Sequence, residues 1–464
     1  MLSFGIILVA GAVLLLAAIL WSRELLMALP FVVTLNGIPL PIGGSQVRVD
    51  QLIACVLVVP LVASVLVGKR RLRMDAISWW LIALFSMNLL ASALNSPTRA
   101  YSFAQCANLA SAWIIYVLVV NFLDTREELE RFFERCLWGA LIASCIGVGA
   151  FLLSIVGLGI GGAEVSASAA QLLTRPYGAY GTMVEPNIFG SFMGSMLVLA
   201  VVLLAVSPRV ASSSLSLRLL RWTTALCAVG LVLSFTRTAW LGSMIALVCA
   251  ALFSRRSLGV RATRILAAPL IGVVIVVVLL FLPGIGGTFL RFKLGNLVNI
   301  ESPTAVLRLM TYALALEQTL RHPIIGLGTF SFAPLLAEGN DFARFEGWRG
   351  LWIGNYLLLA LHDTGVIGLA LWLGMIWTII SRGVRAMRDA SEEQPVLAAR
   401  TLGLIAAIVC LLVAYLATTG FSLGYPWMLI GLLGAHVRLA RTRDAIPDSM
   451  TVEPLTSPSP AGAT

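Results

Sequence analysis

NIFGSFMGSMLVLAVVLLAV, residues 187–206, runs for 20 residues without a charge. A helix of that length rises about 30 Å, which matches the hydrocarbon thickness of a bilayer. The stretch lacks strand alternation, and in lipid its amides must be satisfied within the segment, so it reads as a membrane-crossing helix. Similar apolar runs lie on both sides, at 2–20, 24–40, 49–67, 77–94, 101–122, 136–160, 221–235, 238–254, 265–282, 352–380, 401–419 and 426–437. Together they predict about 12 or 13 transmembrane helices, the short second and last runs being the marginal ones. Composition agrees: 59% of the 464 residues are hydrophobic and 12% charged, with a mean hydropathy of +0.95. A soluble domain is nearer half apolar and a quarter charged, so the cytosolic globular classes are excluded. The expected fold is an all-α integral membrane protein.

The first run has no basic segment before it and no small-residue cleavage site, so it is expected to be a retained span. Basic residues give the orientation. Clusters follow the third run (Lys69, Arg70, Arg71, Arg73), the fifth (Arg126, Arg131, Arg135), the seventh (Arg209, Arg218, Arg221), the ninth (Arg255, Arg256, Arg261, Arg264) and the eleventh (Arg382, Arg385, Arg388, Arg400). They fall on every second connection, and with Arg23, Arg438, Arg441 and Arg443 they place most of the 32 Lys and Arg on the cytoplasmic side. The formal net charge of +10 is thus a topology signal, and no nucleic-acid partner is needed to explain it. The seven cysteines (Cys55, Cys106, Cys136, Cys145, Cys227, Cys249, Cys410) lie in or beside apolar runs without a CxxC spacing, and are read as small apolar residues.

Four segments are expected: an N-terminal helix bundle (1–282), a long outer loop (283–350), C-terminal transmembrane helices (351–440) and a disordered cytoplasmic tail (441–464). The loop reads as folded. Ser302-Pro303 is a helix-starting pair, Val306, Leu307, Met310, Leu314 and Leu316 form an apolar stripe, and His322-Pro323 stops the helix before Gly326 and Gly328. An amphipathic helix lying on the membrane surface would have the same pattern.

Four outward-facing pieces carry candidate chemistry. Ser234-Phe235-Thr236-Arg237 joins two spans with almost no loop, and an arginine at that depth is costly unless it meets an anion or water. It could also snorkel to headgroups. Arg308 sits on the loop helix, which is followed by His322-Pro323-Ile324-Ile325-Gly326-Leu327-Gly328. Trp352-Ile353-Gly354-Asn355-Tyr356 leads into His362-Asp363-Thr364-Gly365-Val366-Ile367-Gly368. Arg175-Pro176-Tyr177-Gly178 and then Gly181-Thr182-Met183-Val184-Glu185-Pro186-Asn187 precede the seventh run, where Pro-Asn also suits a plain helix start.

In order and spacing, these pieces resemble the O-antigen ligase and O-antigen polymerase superfamily over about residues 75–435. The matching motifs are the S-x-S/T-R turn at 234–237, the Arg-bearing helix with its P-x-x-G-x-G ending at 308–328, the Asn355 to Gly368 segment, and the G-T-x-x-E-P-N stretch at 181–187. The resemblance implies a GT-C-like glycosyltransferase without metal or other cofactor, acting at the periplasmic face of the bacterial inner membrane. It implies a polyprenyl (undecaprenyl) diphosphate-linked glycan as donor and a glycan, lipid or protein as acceptor. Guanidinium stays ionised and binds phosphate bidentately, so Arg237 and Arg308 are the expected counterions of the departing diphosphate. Arg175, Asn187, Asn355, Tyr356, Arg344 and Arg349 are expected to bind substrate.

One position departs from the family. Ligases carry a histidine just before the motif asparagine, where this chain has Gly354. The candidate bases are then Glu185, Asp341, Glu346 and His362, with Glu185 or Glu346 preferred and His362 read rather as a structural histidine. The same departure tilts the reading from ligase toward polymerase. The outer acids Glu164, Glu185, Glu301, Glu317, Asp341 and Glu346 contain no DxD-like pair that would suit Mg²⁺ or Mn²⁺. The rival functions are a flippase or polysaccharide exporter and a non-catalytic partner in an envelope complex. A carrier is disfavoured by the scarcity of ionisable residues in mid-span and the lack of an internal repeat.

Overall fold

A computed structural model describes residues 20–42, 45–155, 178–206, 216–257, 303–339, 352–390 and 394–444. The first and tenth apolar runs, most of the long loop's flanks and the C-terminal tail lie outside them. Among the described residues the protein is helical apart from one small hairpin. Eight helices are long and apolar enough to cross a membrane: Val49–Leu66, Ala76–Asn95, Arg99–Phe122, Arg126–Ser154, Pro186–Ala205, Arg237–Arg255, Tyr356–Ala390 and Pro395–Ala414. Leu217–Leu233 and Gly424–Asp444 pack among them.

The second apolar run differs from expectation. Instead of a span it forms a short helix, Ser22–Val32, then a 3₁₀ turn and an antiparallel hairpin of Pro39–Ile42 with Ser45–Arg48. Eleven residues of helix reach only about 17 Å, and Pro39 and Pro41 suit a two-stranded edge.

The centre of the bundle is the stretch quoted first. Pro186–Ala205 is almost wholly buried, between Leu217–Leu233 on one side and Arg237–Ser257 and Pro395–Ala414 on the other. Small residues make this possible: Gly190 lies against Ser234 and Thr236, Gly194 against Ser243 and Cys410, and Gly403 against Leu199. Close backbone approach at small residues is how helices pack where lipid offers no hydrophobic drive. Those contacts also fix polarity, for Pro186, Arg237 and the end of Pro395–Ala414 lie at one end of the bundle, and Pro395 itself at the other. Of the cysteines, Cys106, Cys136, Cys227 and Cys410 are buried, whereas Cys55 and Cys145 lie exposed on the outer surface.

Among the described residues, basic side chains from several of the clusters gather at the Pro395 end. Arg70 and Arg73 pair with Asp124, Arg382 with Asp75, Arg23 with Glu128 and Arg400 with Glu130. Segments far apart in sequence thus place their charges on one side of the bundle.

At the other end, the loop helix Pro303–Thr319 packs on Tyr356–Ala390. The two glycine motifs explain that docking. The amides of Leu327 and Gly328 donate to the carbonyls of His362 and Asp363 (3.0 Å each), and Val366 donates back to Pro323 (2.9 Å). Gly326 and Gly365 have φ of 85° and 65°, and a Cβ on either would run into the backbone of the opposite turn. Gly365 also breaks the 35-residue helix, which would otherwise be far longer than a bilayer is thick. Gly365→Ala should therefore cost at least about 1–2 kcal/mol from the left-handed backbone alone. The check is the thermal unfolding midpoint of the purified protein, with the helical Gly149→Ala, which has open space around it, as a control that should not fall.

Candidate active site

The segment Gly181 to Asn187 is stapled from both sides. Thr182 Oγ1 donates to the Thr34 carbonyl (2.8 Å), the Thr182 carbonyl accepts the Gly37 amide (2.9 Å), and the Val184 amide donates to Asn36 Oδ1 (3.1 Å). On the opposite side Thr236 Oγ1 donates to the Pro186 carbonyl (3.0 Å). The Thr-Met-Val-Glu-Pro-Asn and Ser-Phe-Thr-Arg stretches, some 50 residues apart, are one structural unit.

The turn that presents Arg237 is strained. Phe235 has a φ of 52°, a left-handed conformation that a bulky residue adopts at a cost. It ends one helix and allows the next to start at Arg237, while Trp240 Nε1 donates back to the Leu231 carbonyl (2.8 Å). Arg237 therefore stands, exposed, in the first turn of a helix. A cation there opposes the helix dipole, so the spot is strongly positive and suited to an anion.

Arg308 reaches the same place from the loop helix. Its charge repels that of Arg237, and it also acts on Tyr312 and on Glu185. Three motifs distant in sequence thus converge. Glu185 is the cap residue of the central helix, and its Oε1 accepts the Thr418 hydroxyl (3.0 Å) and, at the limit of range, the Asn187 amide (3.5 Å). Burial pushes its carboxyl above the usual carboxylate range, opposed by the Thr418 and Asn187 hydrogen bonds and by the Arg308 charge. Burial likewise raises the Tyr312 phenol against the pull of Arg308.

Glu185 lines a cavity of about 620 Å³, within the range of small-molecule sites. Its walls mix aromatic rings (Tyr101, Phe330, Phe332, Trp352) with polar groups (Arg48, Gln105, Thr419, Ser422). Arg48 is fixed by Asp50 (3.1 Å) and by the Ser422 carbonyl (2.8 Å). Phe330, with a φ of 54°, is held by its amide on Asp363 Oδ2 (2.8 Å).

The third motif is divided between capping, packing and bridging. Asn355 Oδ1 accepts the amides of Leu357 and Leu358 (3.0 and 3.1 Å), so its oxygen caps the helix. Tyr356 is buried against Trp372 and Phe421 in an aromatic cluster. His362 is fully buried, with Nδ1 on Asp363 (2.9 Å) and Nε2 on Gln318 of the loop helix (2.9 Å), a bridge between loop helix and span. Gly354 is not imposed by space, since an added Cβ would meet only the Ala417 carbonyl (3.5 Å) and the Tyr312 hydroxyl (4.0 Å). Arg175, Arg344, Arg349, Glu346 and Asp341 lie outside the described residues, as do Glu164 and Glu301. Among the described residues no three His, Cys, Asp or Glu come together.

Residues 222–373, which carry Arg237, the loop helix and both glycine turns, match the family model of the O-antigen ligase domain. This part of the chain is similar to the O-antigen ligase family. The match covers about a third of the chain, and a search of curated proteins finds no match. That similarity and the eight apolar helices support a multi-pass membrane protein of O-antigen ligase/polymerase type. Sequence reasoning missed Tyr312 on the Arg308 helix itself, Tyr101 and Gln105 on Arg99–Phe122, Arg48 at the end of the hairpin and Thr418 just beyond Pro395–Ala414. The available signal was small: Arg48 and Asp50 are charges isolated at the start of an apolar run.

Proposed function

We propose that this ligase/polymerase-type protein transfers polyprenyl-diphosphate-linked glycan at the periplasmic face of the inner membrane, for surface polysaccharide assembly, and that it acts as a polymerase. The observation that carries this is the convergence of Arg237 and Arg308 near the half-buried Glu185, which itself lines a cavity walled by aromatic and polar side chains. The acceptor hydroxyl attacks the anomeric carbon, the bond from that carbon to the phosphate oxygen breaks, and the diphosphate leaves with the electron pair. Arg237 and Arg308 neutralise the departing charge, the type of fixed electrostatic help that lowers such barriers most. Glu185 takes the acceptor proton, and burial keeps its basicity higher than that of a surface carboxylate. The cavity receives sugar residues, with rings stacking on aromatic faces and hydroxyls meeting Gln105, Thr419 and Ser422. The polymerase reading rests on Gly354, where ligases carry a histidine.

Two experiments test this. Purified protein given a lipid-linked glycan should extend it, and should do so in excess EDTA, because the arginines take the place of a divalent cation. Activity lost on chelation and restored by Mg²⁺ or Mn²⁺ would overturn the metal-free reading. For topology, cysteines replacing the exposed Leu320 and Arg71 in a Cys-free background should react oppositely with an impermeant reagent in intact cells. Position 320 should label and position 71 should not, and the reverse would invert the active face.

A further inference from the structure

The bundle holds a second cavity at the end opposite Glu185. Its volume is about 310 Å³, and its walls include Arg126, Glu130, Gln394, Pro395, Arg400 and His436. Arg400 dominates it. Its side chain is only 7% exposed, with Nη1 on Glu130 (3.1 Å) and the guanidinium 5.8 Å from the Phe133 ring centre. Its Nε and Nη2 have no hydrogen-bond partner among the described residues, nor has His436 Nδ1. His436 Nε2 faces the Leu397 carbonyl (3.2 Å), which can only accept, so the ring donates there. A buried guanidinium with open donors is costly, and buried polar groups are almost always satisfied in native proteins.

A second feature points to the same ligand. The cavity wall contains the first turn of Pro395–Ala414, a 20-residue helix whose cap residue Gln394 makes no side-chain capping bond. The amides of Val396 and Leu397 thus belong to the group of helix N-terminal donors that intrahelical bonds leave open. Helix N-terminus, buried arginine and Arg126 at the rim all favour an anion, with Glu130 the opposing charge in the wall.

We propose that this cavity is a phosphate-binding site, separate from the transfer site and independent of the glycosyl-transfer reading. Tetrahedral oxygens accept from the Arg400 guanidinium, which lines the cavity, and from the helix N-terminus. The site lies where a span begins, among the basic residues of that end, which is where an anionic lipid presents its headgroup.

The test uses the full chain, purified and delipidated in detergent, with phosphatidylglycerol, a phosphate-free glycolipid or inorganic phosphate added. Native mass spectrometry counts bound lipid, and the thermal midpoint reports stabilisation. Phosphatidylglycerol should bind and raise the midpoint, the glycolipid should not, and Arg400→Gln should weaken binding by about tenfold or more. Arg400→Lys should restore little, because the fork is lost. Should Arg400→Gln fail to fold, Arg126→Gln at the exposed rim should still weaken the lipid several-fold. Stabilisation by inorganic phosphate alone, lost in the same variants, would support the site and assign it to free phosphate. Equal binding of phosphatidylglycerol by wild type and both neutral variants, with no effect of phosphate, would overturn it.

Discussion

Arg308→Ala and Arg237→Ala should each lower glycan transfer by about 10²–10³-fold or more, the usual effect of removing a fixed donor aimed at developing charge. Neither should unfold the protein. The Arg308 backbone carbonyl accepts the Thr311 hydroxyl (2.9 Å), a bond alanine keeps. Arg237 sits in the first turn of its helix, where a cation opposes the dipole. Its removal also relieves repulsion from Arg308. The two readouts should therefore diverge, with Arg237→Ala folded and yet all but inactive. Lysine at either position should rescue poorly, because an ammonium cannot reproduce the bidentate fork on phosphate. Transfer rates of purified variants, together with their melting midpoints, check this. Near wild-type rates in both alanine variants would remove the diphosphate role.

The same residues show what a sequence discloses. The spans were legible because lipid imposes an uninterrupted apolar run on any helix that crosses it. The second run failed that test at its end, where the structure uses Pro39 and the following Pro41 in a hairpin. The motif set was legible for a more specific reason. Gly326 and Gly365 mark backbones that touch and bend to positive φ, so no side chain can replace them, and their spacing is fixed by the meshing of two turns.

The cavity was not legible. A uniformly apolar helix gives no sign of which face meets lipid and which meets a ligand, so Tyr101 and Gln105 look like ordinary residues of a span. Asn355 and Tyr356 have structural partners that the motif did not announce. Both lie in a motif, and motif membership pointed to substrate, yet the asparagine oxygen caps a helix and the tyrosine packs in an aromatic cluster. The motif there maintains the shape that presents Arg308 and Gly354 to the site.

Glu185→Gln should slow transfer by about 10²–10⁴-fold, the usual value of general-base help, with donor binding unchanged because the change is isosteric. The pH profile separates this from a structural effect. A base acts only when deprotonated, and burial holds the Glu185 carboxyl above the usual carboxylate range. The wild-type rate should therefore fall on acidification at a pH higher than an ordinary carboxylate would give, and the glutamine variant should lack that limb. Unfolding of this group's making runs the other way. A raised carboxyl contributes stability that is present in acid and lost as pH rises through the folded-state value. Thr418 donates to the carboxylate (3.0 Å) and favours its charged form. Thr418→Val should accordingly move the limb to still higher pH while leaving the plateau rate near wild type. If Glu185→Gln keeps its full rate while Glu346→Gln loses it, the base is Glu346 and the carboxylate in the cavity serves the fold alone.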